Sequence, residues 1–336
     1  MDSNTASKEQ NSSLQQLDEP LMFEAKTIPL KGIGLVALQD ISQGTLIIQE
    51  KPLLVTRPGA PAALEAFLSS ELKKLNKASQ RQFLSLHNNF PGKHPFAGIM
   101  KTNALPCGSG SEIGAVYPTI CRINHSCLPN SQNTWNSDTK VETIFAISPI
   151  KCGEEITISY DKGGPCAVRQ ASLKQSFGFQ CSCVVCSQPE ALLRESDTRR
   201  SRIQQLDGQI GDPFRMWKSP GESLKDCHSL LQLLKAEYRG YPGALAARLY
   251  YDAFQISIAH GDKARASIFA EKSYQARLMC EGGETPEAKK VKMLATNPSN
   301  HGSFMACSSK WKNTKKEKFV EADDEAFERW LFRISN

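Results

Sequence analysis

The spacing of apolar positions divides the chain into regions of different period. From Phe23 to Val55, β-prone runs alternate with glycine turns. Leu35-Val36-Ala37-Leu38 and Thr45-Leu46-Ile47-Ile48 read as strands, with Asp40 to Gly44 as the turn between them. From Ala62 to Asn88 the period changes. Leu64, Phe67, Leu68 and Leu72 recur at helical spacing, as do Phe83, Leu84 and His87. Strand-like pieces return between Val116 and Ser159, at Val141 to Ile147 and Glu155 to Tyr160, before Gly163-Gly164-Pro165 breaks the chain. Beyond a cysteine-rich stretch at 181–186 the pattern is helical. Leu224, Cys227, Leu231 and Leu234 mark one helix, stopped by Gly240-Tyr241-Pro242-Gly243. Leu245, Leu249, Ala253 and Ile256 mark a second, ended by Gly261, and Asp262 can cap a third running to about Cys280. The last two form a hairpin of roughly 38 residues, near the length of a tetratricopeptide unit. One TPR-like unit and a plain helical appendage are both compatible with it. Residues 282–318 read as a linker, and a short apolar-faced helix from Phe327 to Phe332 is expected to follow.

A length of 336 residues fits two domains, or one elaborate domain with a helical appendage. No apolar run approaches the roughly 18 residues of a membrane span. Met1 to Pro20 is polar, lacks the apolar centre of a signal peptide, and reads as a disordered leader. Eleven cysteines without such a signal point to a reducing compartment, nucleus and/or cytoplasm, where clustered cysteines bind metal. The net charge of +6, from 41 basic and 35 acidic residues, is mild. It describes a solvated surface better than a nucleic-acid interface. The basic stretch of Lys310, Lys312, Lys315, Lys316 and Lys318 has the same two readings, a nuclear address or a solvated segment, of which the second asks for less.

Four motifs carry candidate chemistry. Arg122-Ile123-Asn124-His125-Ser126-Cys127-Leu128-Pro129-Asn130 clusters amide, imidazole and thiol groups. Gly153-Glu154-Glu155-Ile156-Thr157-Ile158-Ser159-Tyr160 is a turn and then a strand ending in tyrosine. Cys181, Cys183 and Cys186 form Cys-x-Cys-x-x-Cys, three thiolates where tetrahedral structural zinc needs four ligands. Lys31-Gly32-Ile33-Gly34 precedes the first strand-like run. Each has a plain structural reading when taken alone: a polar turn, a core histidine, a strand-end aromatic, an ordinary glycine turn.

In this order and spacing, over about residues 23–188, the motifs resemble the SET domain of protein lysine methyltransferases, nearest the fungal SET proteins related to the SMYD branch. The resemblance implies an α+β fold: a SET β-sheet core with a helical insert, a post-SET zinc site and a C-terminal helical, TPR-like domain. It also implies a threaded crossing that brings the Asn124 and Tyr160 segments together. The boundaries it suggests are a leader at 1–20, a SET domain at 21–165 with its insert at 56–115, a post-SET segment at 166–190 and a helical domain at 191–336. The implied cofactor is S-adenosylmethionine. Lys31, Gly32 and Gly34 would meet its amino-acid end, where glycines let backbone lie close. Asn124 and His125 match the family's cofactor-contacting pair, and Tyr160 its catalytic tyrosine. Phe179, with Phe177 beside it, would cover the adenine and line a lysine channel, although either ring also fits a core. Cys127 would complete the zinc set of Cys181, Cys183 and Cys186. Cys107, Cys121, Cys152, Cys166, Cys227, Cys280 and Cys307 show no ligand spacing and read as small packing residues.

The sequence departs from SMYD proteins in two respects, of which one is a helical tail shorter than theirs. Residues 56–115 hold only Cys107, so a MYND finger is not inserted there. The implied activity is S-adenosylmethionine-dependent protein-lysine N-methylation of a histone or other protein, with a further partner possible on the C-terminal helices and no membrane or direct nucleic-acid role. The alternative is a catalytically silent SET scaffold that binds partners through its helical hairpin.

Overall fold

A computed structural model describes residues 21–315 and 324–334; the expected leader and Lys316 and Lys318 of the basic stretch lie outside them. The chain opens with a hairpin of β1 (Phe23–Ile28) and β2 (Gly32–Ala37), registered from Phe23 opposite Ala37 to Ile28 opposite Gly32. Leu30 and Gly32 both take positive φ in its turn, at 63° and 80°. β3 (Leu46–Glu50) and β4 (Leu54–Thr56) follow.

The expected helical insert is three helices: α1 (Pro61–Lys74), α2 (Lys77–Leu84) and α3 (Pro95–Asn103). Proline starts α1 and α3, where its missing N–H costs nothing. The Asn76 side chain caps α2 by accepting the Ser79 N–H at 2.9 Å. Leu68, Leu72, Phe83 and Met100 bury the inward faces of this insert in their own small core.

The remaining strands are β5 (Leu105–Pro106), β6 (Gly114–Val116), β7 (Asn124–His125), β8 (Ser131–Asn136), β9 (Val141–Ala146) and β10 (Glu155–Ile158). They form three small sheets, ordered β1-β2-β10-β7, β3-β9-β8 and β4-β6-β5. Among the described residues all pairings are antiparallel except one. β10 runs parallel to β7, with Thr157 opposite Asn124 and Ile158 opposite His125. That contact sets two motifs, about thirty residues apart in the chain, side by side.

Helix α4 (Cys166–Phe177) ends at Gly178, which takes the left-handed conformation at φ 77°. The C-terminal region contains α5 (Glu190–Ile210), α6 (Pro213–Lys218), α7 (Pro220–Glu237), α8 (Ala244–Ala259), α9 (Lys263–Glu281), α10 (Pro286–Thr296) and α11 (Asp324–Leu331). The expected hairpin is α8 and α9, with the Asp262 carboxylate capping α9 at the Arg265 N–H, 3.1 Å away. Leu231, Phe254, Ala266, Phe269 and Leu331 lie at the centre of this domain's core. None of its described helices is long and apolar enough to cross a membrane.

Within the expected linker at 282–318, the described residues 282–315 are not a simple linker. Thr285 caps α10, Pro286 starts it, and Ala288, Val291 and Leu294 pack its buried face. Its three lysines, 289, 290 and 292, interrupt the apolar stripe and hide the period. The two domains meet where α9 crosses the β8–β9 sheet. There the Asn136 side chain donates to the Glu284 carbonyl at 3.3 Å, and the Ala244 N–H donates to Gln132 Oε1 at 3.1 Å.

Candidate active site and metal centre

The parallel β7–β10 contact organises the site. Asn124 leaves β7 with its amide donating to Glu155 Oε1 at 2.8 Å, while Lys31 Nζ reaches Glu155 Oε2 at 2.6 Å from the β1–β2 turn. A Cβ on Gly34 would lie 2.8 Å from Asn124 Nδ2 and 2.9 Å from Glu155 Oε1, so only glycine admits this pair. Beside Gly32, by contrast, a Cβ would meet open space. Glu155 is therefore the hub of the cluster. The sequence places it at the start of the strand-like piece Glu155 to Tyr160, which the structure gives as β10, but assigns it no role. Asn130, at the far end of the same motif, ties β10 in place. Its Oδ1 accepts the Thr157 N–H at 2.8 Å and its Nδ2 donates to the Glu155 carbonyl at 2.9 Å.

His125 is 4% exposed, and both its ring nitrogens are engaged within the protein. Nδ1 accepts the Tyr160 N–H at 2.9 Å. Nε2 therefore carries the ring proton, and it faces Asp161 Oδ2 and Cys127 Sγ, each at 3.3 Å. Burial holds the imidazole below its ordinary pKa against the opposing pull of Asp161, so the ring stays neutral. Any contact it makes with a ligand must come from its main chain.

The Tyr160 hydroxyl donates to the Ile123 carbonyl at 2.5 Å. Its ring lies 4.9 Å from Phe177 and 5.4 Å from His125, and Phe179 stands 6.2 Å from His125. Phe177 is thus the neighbour of Tyr160, and Phe179 extends the apolar cluster 6.4 Å further on. Burial pushes the Tyr160 hydroxyl above its usual pKa, so it remains protonated at neutral pH.

Four cysteine sulfurs converge behind His125. Those of Cys127, Cys181, Cys183 and Cys186 all lie within 4.8 Å of one another, with Cys127 Sγ 3.9 Å from Cys181 and 3.6 Å from Cys186. Tetrahedral zinc with Zn–S bonds of about 2.3 Å requires sulfurs roughly 3.8 Å apart, so the donor set fits that ion in chemistry and spacing. Arg169 supports the same reading. It is fully buried on α4, with Nε donating to Cys127 Sγ at 3.1 Å and Nη2 to Cys186 Sγ at 3.5 Å. A buried guanidinium needs anionic partners; Asp197 Oδ1 lies 3.8 Å from Nη1, and metal-bound thiolates would supply the rest. Hydrogen bonding with Cys181, Cys183 and Cys186 drives the Cys127 thiol up, while hydrogen bonding with Cys127 and Cys181 pulls Cys186 down to about 6. His125, Cys127 and Asp161 form a second close group. The His125 tautomer argues against an ion there, because a protonated Nε2 has no lone pair to offer. A fifth thiol, Cys166 at the start of α4, was read from the sequence as a small packing residue because its spacing matches no ligand pattern, yet it lies 3.9 Å from Cys186.

The helical domain reaches this centre through one buried network. Arg200 on α5 donates from Nη2 to the Cys127 carbonyl at 2.8 Å. Its Nε donates to Glu237 Oε1 at 2.6 Å, which also accepts from Ser196 Oγ at 2.6 Å. Arg200 and Glu237 are 2% and 5% exposed, and nothing in a one-dimensional pattern distinguishes them from surface charges.

Comparison with known proteins gives the family. The SET-domain family model matches residues 32–161. The chain is 33% identical over 285 residues to the histone-lysine N-methyltransferase set5 of Schizosaccharomyces pombe, covering 84% of this chain and 86% of that one. It is 27% identical over 196 residues to a putative SET domain-containing protein, L678, of Acanthamoeba polyphaga mimivirus, covering 47% and 75%. The human histone-lysine N-methyltransferase SMYD3 is 31% identical over 138 residues, 40% of this chain and 28% of that protein. The chain belongs to the SET-domain family.

Proposed function

We propose that this chain is a protein-lysine N-methyltransferase that uses S-adenosylmethionine, with Cys127, Cys181, Cys183 and Cys186 holding one structural zinc ion. The observation that carries the reading is the parallel β7–β10 contact, which sets Asn124 and His125 beside Tyr160. S-adenosylmethionine supplies a methyl group activated on a sulfonium.

The residues present fit its amino-acid end. Lys31 offers a cation for a carboxylate, and Glu155 with Asn124 offers acceptors for an ammonium, next to the open space at Gly32. Phe179 would cover the adenine. The substrate is a protein lysine, whose side chain must arrive neutral. With a free pKa of about 10.4, about one amine in 2,500 is neutral at pH 7, a cost of roughly 4.6 kcal/mol. The apolar pair Phe177 and Phe179 disfavours the ammonium form. The Tyr160 hydroxyl already donates to Ile123, so its oxygen is left to accept an N–H from the incoming amine and aim the lone pair. A hydroxyl held protonated by burial positions the amine and does not take its proton.

The test is transfer of labelled methyl into whole-cell protein, with wild type beside Tyr160→Phe. Protein bands labelled by the wild type and lost in the variant are expected. Measurable cofactor binding with no labelled protein would replace the enzyme with a binding scaffold.

A further inference from the structure

We infer that Cys166 and Cys186 form an oxidant-sensitive site in which a peroxide converts the zinc-bound thiolate of Cys186 and the free thiol of Cys166 into a disulfide, releasing the metal. The inference rests on the zinc reading above.

The four-thiol set is complete without Cys166, yet its sulfur lies 3.9 Å from that of Cys186. Among the four proposed ligands, Cys186 is the one that is only half-buried, and Cys166 is half-buried as well. A small oxidant therefore reaches this edge of the cluster before the other three sulfurs. α4 holds the geometry. Cys166 is its first residue, pinned by its N–H donating to Asp197 Oδ1 at 2.7 Å. Arg169, one turn on, points its guanidinium at Cys186 Sγ, 3.5 Å away. A cation there stabilises an anionic sulfur and keeps it nucleophilic. An accessible thiolate poised beside a second thiol is the arrangement of redox-sensing cysteines.

The chemistry balances in two steps. The Cys186 thiolate attacks one peroxide oxygen, the O–O bond breaks, and sulfenic acid and hydroxide form. The Cys166 sulfur then attacks the Cys186 sulfur, the S–O bond breaks, and hydroxide leaves with the Cys166 proton as water. One thiolate and one thiol lose two electrons, and peroxide is reduced to one water and one hydroxide, which takes its proton from solvent. Closing from 3.9 Å to a bond of about 2.05 Å takes the Cys186 sulfur out of the metal's tetrahedron. The three remaining thiolates do not complete a structural site. The loss is transmitted through Cys127 to the His125 loop.

The experiment starts with metal analysis of the full-length protein. About one zinc per chain tests the underlying reading by itself. Zinc release is then followed with a chromogenic chelator during hydrogen peroxide treatment, with peptide mass mapping, before and after addition of a dithiol. Wild type is expected to release its zinc, to yield a Cys166–Cys186 linked peptide, and to regain at least about four-fifths of its zinc when reduced in the presence of the metal. Cys166→Ser is expected to bind zinc and methylate like the wild type before oxidation. After oxidation it should carry Cys186 as sulfinic acid and recover less than about a fifth of its zinc. Cys166→Ala should match it. Zinc-loaded protein whose peroxide product links two of the four ligands, or whose recovery is unchanged in both variants, would overturn the assignment.

Discussion

The segment after the SET core and the C-terminal helical domain adjoin at Cys127, and they are held together by different physics. Around Cys127 the buried set is small: three cysteines, Leu173 and Val185, with Arg169, His125 and Asp161 filling the space between. The helical domain buries a far larger apolar set centred on Phe254, Phe269 and Leu231. A cluster that small cannot offset the backbone entropy of a loop as irregular as 178–189 by hydrophobic burial. The proposed metal ligation would supply what burial does not, and would concentrate the stability of the cofactor side in four side chains.

The largest prediction follows from that contrast. Structural zinc contributes on the order of 10 kcal/mol to folding in small zinc-binding peptides. Removing the metal with a strong chelator should therefore open residues 178–189 to limited proteolysis and weaken S-adenosylmethionine binding at least tenfold. The helical circular dichroism should be largely retained, since α5 to α10 pack on their own apolar core and touch the proposed ligands through Arg200 at the Cys127 carbonyl. If helicity collapses with the metal, the two regions are one cooperative unit and the comparison fails.

The converse perturbation is next in size. Phe254 is fully buried on α8, its ring 5.5 Å from that of Tyr251 and 5.1 Å from that of His301. Phe254→Ala should cost about 3–5 kcal/mol in urea unfolding. Zinc content should stay at the wild-type level. Substoichiometric metal in the folded variant would show that the helical core, and not the thiol set alone, holds the site.

These differences also explain what could be read from the chain. The elements of residues 35–48, 62–88 and 224–280 were legible because the helices carry apolar residues at helical spacing and Leu35-Val36-Ala37 is a continuous buried apolar run. The cysteine trio and the Asn124 and Tyr160 motifs were legible as chemistry, with the resemblance adding Cys127 and the cofactor. α5 was not, because its buried face includes Ser196 and Arg200 as well as Leu206 and Ile210. Glu155, Arg169, Arg200 and Glu237 were missed for one reason. A charged residue with a partner far along the chain looks in sequence like a charged residue in water. The same held for Cys166, whose neighbour lies 20 residues away.

Glu142 provides a third, smaller test, because it places an ionisable group in the apolar SET core. It is fully buried on β9, accepting from Asn133 Nδ2 at 3.0 Å, with the Tyr117 hydroxyl 3.5 Å away. Burial pushes its carboxyl from 4.5 up to about 7. An acid whose folded pKa is raised stabilises the fold below its unfolded pKa, and that stability is lost as pH rises through the folded one. Between about pH 4.5 and 7 the wild type should thus lose about 3 kcal/mol that Glu142→Gln does not lose. The check is the difference between the two stability curves. A flat difference would mean that the carboxyl is solvated in the folded protein, and that polar burial is confined to the Cys127 side after all.

The smallest effect is expected at the seam itself. Gly282 ends α9 with φ 75° and ψ 173°, a conformation open to glycine and strained for other residues. A Cβ there would lie 2.8 Å from Phe145 Cζ, on the strand that faces the helical domain. Gly282→Ala adds contact strain to backbone strain, and should cost about 1–3 kcal/mol. The strain is placed between the two regions, not inside either. Thermal unfolding should therefore separate into two steps, while zinc content and S-adenosylmethionine affinity stay within about twofold of wild type. A larger loss of cofactor affinity would mean that the α9 contact, like Arg200 at the Cys127 carbonyl, helps hold the site. The helical domain would then act on the cofactor side through two attachments.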